Sequence, residues 1–369
     1  MTSASDSLSY SAAGVDVKAG EHAVDLMRSA IAQASRPEVI GDFGGFAGLF
    51  DVSALKKFNR PLLATSTDGV GTKIEIARRM DIHTTIGRDL VAMVVDDLVV
   101  CGAEPLFMTD YIAVGKVNPQ RVADIVTGIA DGCVLAGCAL VGGETAEHPG
   151  LLDADAYDIA GAGTGAVEAE KLLGPDKVQV GDVAIAIGSS GLHSNGYSLA
   201  RYIAFTIAGH DVSDHVDELG RTIGEEMLEP TRIYSQDMLA LINAVDVHSM
   251  SHITGGGIAA NVARVMPTWS ALTIDRATWS PQPIFNYLVH RGNVAQAEAE
   301  RTFNMGIGMV AFVSENDSHN AIQTLESKGL KAWQLGTVRT RIDGESGDAP
   351  AKGGLGGAVT LMSEHPDNK

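Results

Sequence analysis

A mixed α+β architecture in two domains is the fold class that this sequence predicts, and three observations predict it. The chain has 369 residues, which at roughly 150 residues per domain makes about two domains. Over the first 170 residues apolar runs and helical periodicities alternate in the order β-α-β-α-β-β, the pattern of helices laid on one face of a sheet. A charged linker, Glu168–Asp182, then separates this unit from a second alternation of strands and helices that continues to about Val338.

Each element has its own signal. Val24, Met27, Ile31 and Ala34 recur at helical spacing from Glu21 onward. A glycine-rich stretch, residues 41–48, follows. Pro61–Thr67 reads as a strand ending in the polar turn Thr67-Asp68-Gly69-Val70-Gly71-Thr72-Lys73. Thr84–Cys101 reads as a helix and Pro105–Val114 as a strand. Asn118-Pro119 supplies an N-cap and a first-turn proline to the next helix, and Gly137 sits where a C-cap belongs. Ala139–Gly142 and Tyr157–Val167 complete the first unit as strands. In the second unit the expected parts are strands at Val183–Gly188 and Val247–His252, a helix from Ser194 and another near Pro230–Ala244. The expected division is 1–170, 171–340 and a flexible tail over 341–369, where Gly353-Gly354-Leu355-Gly356-Gly357 and scattered charges break any periodicity.

Composition narrows the function. There are 27 basic and 46 acidic side chains, a formal net charge of −19, which repels nucleic acid phosphates and anionic membranes. An anionic ligand must therefore be met by local donors, helix N-termini or metal ions. Three cysteines without a CxxC pair exclude a disulfide framework and a zinc site of that type. The N-terminus shows neither a basic n-region nor an apolar core, and the apolar runs fall far short of the roughly 20 residues of a membrane span. A cytoplasmic protein with no membrane and no nucleic acid partner is the expectation. Glycine, 42 of 369 residues, exceeds the usual level of about 7%, which points to tight turns or close backbone approach to a ligand.

Four segments join carboxylates or hydroxyls to glycines at strand ends. In Thr67–Lys73 a carboxylate can hold a divalent cation while backbone N–H groups approach phosphates; the GK[ST] order of a Walker loop is absent. In Asp96–Pro105 two acids follow an apolar helix, with Asp89 eight residues before Asp97 and so on the same side. Carboxylates without matching Lys or Arg repel each other unless a cation joins them, and Mg²⁺ suits oxygen ligands. Gly142-Gly143-Glu144-Thr145 can present Glu144 to a metal. Two loops of the second unit, Gly188–Gly196 and His252–Gly257, lie between strand and helix and can aim backbone donors at an anion. Each segment taken alone also reads as an ordinary turn. A fifth stretch, Gly161-Ala162-Gly163-Thr164-Gly165-Ala166, matches a dinucleotide fingerprint but lacks a proper crossover helix and an acid at the end of the next strand.

Taken in order, the segments resemble the phosphoribosylformylglycinamidine cyclo-ligase family, the aminoimidazole ribonucleotide (AIR) synthetases. The matching stretches are Ser7–Gly20, Gly44–Phe50, Ser66–Lys73, Asp97–Phe107, Leu140–Gly150, Gly188–Leu199, His252–Gly257 and Phe303–Met309, which span about nine tenths of the chain. The resemblance implies an AIR synthetase-like fold, an N-terminal α/β sandwich whose sheet joins that of a dimer mate in a β-barrel, followed by a C-terminal α/β domain. It implies ATP-dependent closure of formylglycinamidine ribonucleotide to AIR through an iminophosphate, with ADP and phosphate released, in a homodimer using Mg²⁺. Carried over by motif, Asp68, Asp97 and Glu144 would hold the metal, with Asp89 behind them. Thr67, Gly69, Gly71, Thr72 and Lys73 would serve the phosphates, and Gly44 and Gly45 a flap over the nucleotide. Ser194, Asn195, Gly196, Thr254, Gly255, Gly256 and Gly257 would hold the ribotide, and His193 would handle a proton.

The chain departs from the family pattern at Asp96, where Asn is usual, which is expected to add charge near the metal. His148 replaces a usual Met, Ala162-Gly163-Thr164 a bulkier run, and Arg28 a Lys. Other readings are a different ATP-using member of the superfamily or a catalytically silent nucleotide binder. The first cysteine is Cys101, too late for a selenophosphate synthetase, and the retained acids weigh against a silent protein.

Overall fold

The computed structural model describes residues 17–41 and 45–366; Gly44 and most of Ser7–Gly20 lie outside them. The first unit comprises α1 (Val17–Gln33), the two-residue strands β1 (Val39–Ile40) and β2 (Leu49–Phe50), β3 (Pro61–Gly69), α2 (Ile74–Met80), α3 (Thr84–Val99), β4 (Glu104–Val114), α4 (Pro119–Ala136), β5 (Ala139–Glu147) and β6 (Tyr157–Glu168). Its sheet runs in the order β3-β6-β4-β5, with only the β4–β5 pair parallel.

α3 is the centre of this unit because its sequence is apolar nearly all round: Leu90, Val91, Val94, Val95 and Leu98 are all essentially inaccessible. It packs between the sheet and α4. The glycines of β6 explain how close it comes. A Cβ on Gly163 would lie 2.7 Å from Val94, and one on Gly161 would lie 2.9 Å from Met108. The run that resembled a dinucleotide fingerprint is therefore the interior of a strand, stripped of side chains at every second residue so that a helix can lie on it. α4 starts as its cap signals require: Asn118 Oδ1 accepts from the Gln120 and Arg121 N–H groups at 3.1 and 3.2 Å, and Gly137 closes it at φ 72°.

Two boundaries differ from the sequence expectation. β5 continues through Gly142–Glu147, because its parallel ladder with β4 extends to Val114↔Glu147, so Glu144 sits on a strand and not in a turn. α2 follows the Gly71–Lys73 turn, over residues to which the sequence reading assigns no element.

The second unit contains β7 (Val183–Gly188), α5 (Tyr197–Arg201), β8 (His215–Val216), β9 (Arg221–Thr222), α6 (Ile223–Met227), α7 (Ser235–Ala244), β10 (Val247–His252), α8 (Gly257–Arg264), β11 (Ser270–Asp275), α9 (Pro283–Gly292), α10 (Gln296–Thr302), β12 (Ile307–Val313), α11 (Glu315–Ser327), β13 (Ala332–Thr337), β14 (Arg339–Thr340) and β15 (Ala358–Met362). The main sheet, β10-β12-β7-β13, is antiparallel throughout, so this unit is α+β and not the parallel α/β type. β7 and β12 are buried on both faces, which is why they read as continuous apolar runs.

The flexible tail expected over 341–369 is also corrected. β15 pairs in parallel with β11 from Ala271↔Ala358 to Asp275↔Met362, and Ala358, Val359 and Leu361 are buried. Their alternation with polar residues is too short to stand out from sequence beside so many glycines. Among the described residues no helix is long and apolar enough to cross a membrane.

Candidate active site

Asp68 lies near the end of β3 and Asp97 near the end of α3, and both lie near His252 and Lys352 of the second unit. Asp68 Oδ1 accepts from the Gly69 N–H at 2.8 Å. Burial raises its pKa, and the nearby Asp97 charge raises it further. Asp97 goes the other way: burial opposes its charge, but the hydrogen bond and the charge of His252 outweigh it and hold it below the usual carboxylate value. His252, at the end of β10, has Nδ1 2.9 Å from Asp97 Oδ1. Burial disfavours its charged form, but Asp97, Asp96 and Asp68 raise its pKa overall.

The cation that sequence reasoning missed is Lys352. Its Nζ donates to Thr254 Oγ1 at 3.1 Å, and its charge lowers the pKa of both Asp68 and Asp97. The flanking Gly353-Gly354 pair, both with left-handed φ, was the available signal. The two glycine-rich loops of the second unit meet here as well. Asn195 Oδ1 accepts from the Gly255 N–H at 3.0 Å, and Ser194 Oγ lies 2.9 Å from Thr231 Oγ1. Gly257, at φ 73°, passes so close to α10 that a Cβ would fall 1.7 Å from the Glu300 carbonyl oxygen, a position that only glycine can fill. Gly196 and Gly256 also adopt left-handed φ, 76° and 102°. Thr67 and Thr72 are exposed at the rim, and Thr72 Oγ1 lies 3.5 Å from Ser198 Oγ.

Three expected site residues do not take the expected places. Lys73 has no exposed surface: its Nζ donates to Asp89 Oδ1 at 2.8 Å and to the carbonyls of His193 and Glu229 at 3.0 and 2.6 Å. All three donors are spent, so it ties the two units together and does not reach a phosphate. Asp89 is equally enclosed; its Oδ1 also accepts from the Thr231 N–H and hydroxyl at 2.7 and 2.6 Å, so it is the counter-ion of Lys73. Glu144 is exposed on β5, away from Asp68. Asp68, Gly161, Asp110 and Gly143 stand opposite one another across the four strands, three strand spacings of about 4.8 Å each. Among the described residues no three His, Cys, Asp or Glu side chains converge as a metal cage. Glu144 instead shares a cavity with Gly45.

His193 is 1% exposed and has a left-handed φ of 61°. Its Nε2 accepts from the Ser190 N–H at 3.2 Å, while Nδ1 has no hydrogen-bond partner. Burial, with the charges of His252 and Lys73, holds its pKa well below the ordinary histidine value, so the ring is neutral.

Asp96 corrects a further expectation. Its carboxylate does not face the Asp68–Asp97 pair. It points inward, where both oxygens accept from the Tyr234 N–H at 3.0 and 3.2 Å, and burial pushes its pKa up to about 7. A folded pKa of about 7 against 3.8 means that the folded state binds this proton more tightly. The associated stability is present near pH 4, falls as pH rises to about 7, and changes no further above it. About three pKa units correspond to an effect on the order of 4 kcal/mol. Asp96→Asn keeps the acceptor for Tyr234 and removes the charge. It is expected to melt higher than the wild type at pH 8 in EDTA and equally at pH 4; equal melting at both would reject the assignment.

The fold and site together define a class: a two-domain α+β protein in which Asp68 and Asp97 of the N-terminal unit lie beside His252 and the glycine-rich loops of the C-terminal unit. Residues 51–167 match the model for AIR synthase related protein, N-terminal domain, and residues 179–346 the corresponding C-terminal domain. Two proteins named phosphoribosylformylglycinamidine cyclo-ligase, from Desulfitobacterium hafniense strains DSM 10664 / DCB-2 and Y51, are each 50% identical over 92% of this chain and 98% of theirs. The chain belongs to the phosphoribosylformylglycinamidine cyclo-ligase (AIR synthetase) family. The fold is shared more widely. A thiamine-monophosphate kinase from Stenotrophomonas maltophilia K279a superposes with TM-score 0.62 at 15% identity, covering 93% of this chain and 96% of that one. The hydrogenase maturation protein HypE in complex with ATP gives 0.60 at 16%, covering 89% and 88%.

Proposed function

We propose that this chain is the ATP-dependent ligase that closes formylglycinamidine ribonucleotide to AIR, releasing ADP and phosphate, in purine biosynthesis. The observation that carries this reading is the extent of the identity, 50% over 92% of the chain, with the Asp68–Asp97 pair standing opposite the Asn195–Gly255 loops. In this reading ATP phosphorylates the formamide oxygen to an iminophosphate, and the substrate nitrogen displaces phosphate as the ring closes. Phosphoryl transfer asks mainly for positioning and charge neutralisation, which is what these residues offer.

Asp68 and Asp97 fit Mg²⁺: both are oxygen donors, close enough that the Asp97 charge raises the pKa of Asp68, and Mg²⁺ needs only one or two carboxylates beside phosphates and water. When bound, the ion withdraws charge from the phosphate oxygens. Gly69, Gly71, Thr67 and Thr72 would line the phosphates, and Lys352 would add the positive charge that Lys73 cannot. Ser194, Asn195, Gly196 and Thr254–Gly257 would hold the ribotide through hydroxyl, amide and backbone N–H groups. His193 would exchange a proton only through its unpartnered Nδ1.

Glu144 and Gly45 would contact the nucleotide from their own cavity. On this division residues 1–170 carry the nucleotide and 171–340 the ribotide, with Lys352 supplied from beyond them. The open face of the first sheet, with Leu63 66% and Tyr111 42% exposed, is offered to a second copy in a homodimer. We place the protein in the cytoplasm on the composition argument given above.

The test is a coupled ADP-release assay at fixed Mg²⁺, with and without formylglycinamidine ribonucleotide. ADP release that requires this substrate, with AIR formed in equal amount, is expected. Nucleotide binding without substrate-dependent release would reject the ligase reading and leave a different ATP-using activity or a silent binder.

A further inference from the structure

Lys352 stands in the site although it lies beyond both matched domains, residues 51–167 and 179–346. The connection that carries it is fastened along α8: the Lys352 N–H donates to the Ala260 carbonyl at 3.1 Å and the Gly357 N–H to that of Ala263 at 3.0 Å. Gly356 comes so close that a Cβ would fall 2.1 Å from the Ala263 oxygen. The Lys352 side chain runs back past Gly256, where a Cβ would meet its Cδ at 3.9 Å, and its Nζ donates to Thr254 Oγ1 at 3.1 Å. The other two N–H donors of this ammonium have no partner among the described residues. Burial raises the pKa of Asp68 and opposes the charge of Asp97, and on both the Lys352 charge acts against it. One ammonium group thus touches the loop that would hold the ribotide and is felt by the two acids that would hold the metal. Lys73 cannot share the task, because its three donors are spent inside the protein.

We propose that Lys352 is a catalytic residue that grips the phosphoryl group in transit from ATP to the ribotide. The proposal rests on the ligase reading given above. In that reading the nucleotide and the ribotide meet at the phosphoryl group, and a cation that reaches both sides stands where it passes. In the transfer the formamide oxygen bonds to the γ-phosphorus. The bond from that phosphorus to the β,γ-bridging oxygen breaks with its electron pair going to ADP, and the formamide N–H proton leaves to water. In the closure a substrate nitrogen bonds to the formyl carbon. The carbon–oxygen bond breaks with its electron pair going to phosphate, and the proton of that nitrogen follows to the phosphate. Negative charge rests on the same phosphoryl oxygens through both steps, so one fixed ammonium serves both.

The experiment is calorimetric binding of ADP and of the β,γ-methylene analogue of ATP, with Mg²⁺, to the wild type, Lys352→Met and Lys352→Arg, beside steady-state kinetics of the same three proteins. Lys352→Met is expected to lower the ratio of analogue affinity to ADP affinity by about 10-fold or more, with ADP binding itself unchanged. Its kcat should fall by about 10- to 100-fold, while the KM for formylglycinamidine ribonucleotide stays within about twofold. Lys352→Arg, which keeps the charge, should restore most of the ratio. Lys352 is exposed, so thermal melting of the variants should match the wild type. Equal weakening of ADP and the analogue would overturn the proposal, since the lysine would then act on the whole nucleotide. An unchanged ratio would overturn it as well, and a rise confined to the KM for the ribotide would move Lys352 to that substrate's own phosphate. Binding separates this proposal from the ligase reading: a ratio that falls in Lys352→Met, in a protein whose wild type forms no AIR, would keep the lysine on the γ-phosphate and remove the ligase function.

Discussion

Asp97→Asn is expected to lower substrate-dependent ADP release on the order of 100-fold or more while the protein remains folded. The amide oxygen can still accept from His252 Nδ1, now 2.9 Å from Asp97 Oδ1, so the local geometry survives. What disappears is the charge. Asp97 is the acid of the pair whose pKa is held low, so it is the one that remains ionised throughout the working range. Steady-state turnover against Mg²⁺ concentration, with thermal melting as the control, measures both parts. Turnover near the wild-type level at saturating Mg²⁺ would remove Asp97 from the metal role.

The second large effect concerns stability. Lys73 and Asp89 are both fully enclosed, 2.8 Å apart, and Lys73 reaches two carbonyls of the other unit. Lys73→Met strands the Asp89 carboxylate without its counter-ion, and breaking a buried pair in this way costs about 3–5 kcal/mol. Adding Asp89→Asn removes the stranded charge and keeps an acceptor for the Thr231 N–H. The double variant is therefore expected to be more stable than Lys73→Met alone. Urea unfolding of the four proteins in a double-mutant cycle measures the coupling. Additive losses would mean that the two side chains do not act as a pair.

What could be read from sequence was local. The ends of α4 were legible because Asn118 and Gly137 act within one turn of their own helix. The length of β5 was not, because its ladder partner is a distant strand. Asp68, Asp97, Asn195 and Thr254–Gly257 were found as glycine-flanked polar groups, but that two of the loops touch through Asn195 and Gly255 is a property of the fold. Lys352 escaped because its contact with Thr254 spans 98 residues. The direction of Asp96 was recoverable in principle: successive helical residues point about 100° apart, so one of an adjacent pair turns inward when the other faces a cleft. Lys73 was misassigned for the opposite reason. A lysine after a glycine turn looks like a phosphate ligand until the second unit is seen to enclose it.

The parallel pairing of β15 with β11 has a consequence for the order in which the molecule is made. Parallel strands need a long connection, and here Ala358 meets Ala271. A chain emerging from the ribosome can pack its N-terminal unit early, yet β11 must wait for β15 before that small sheet is whole. Lys352 lies on the same connection, six residues ahead of Ala358. A nascent polypeptide that has completed both family domains, residues 51–167 and 179–346, thus still lacks Lys352 at the carboxylate pair. The segment that closes the small sheet is therefore also the one that brings the Lys352 charge to Asp68 and Asp97.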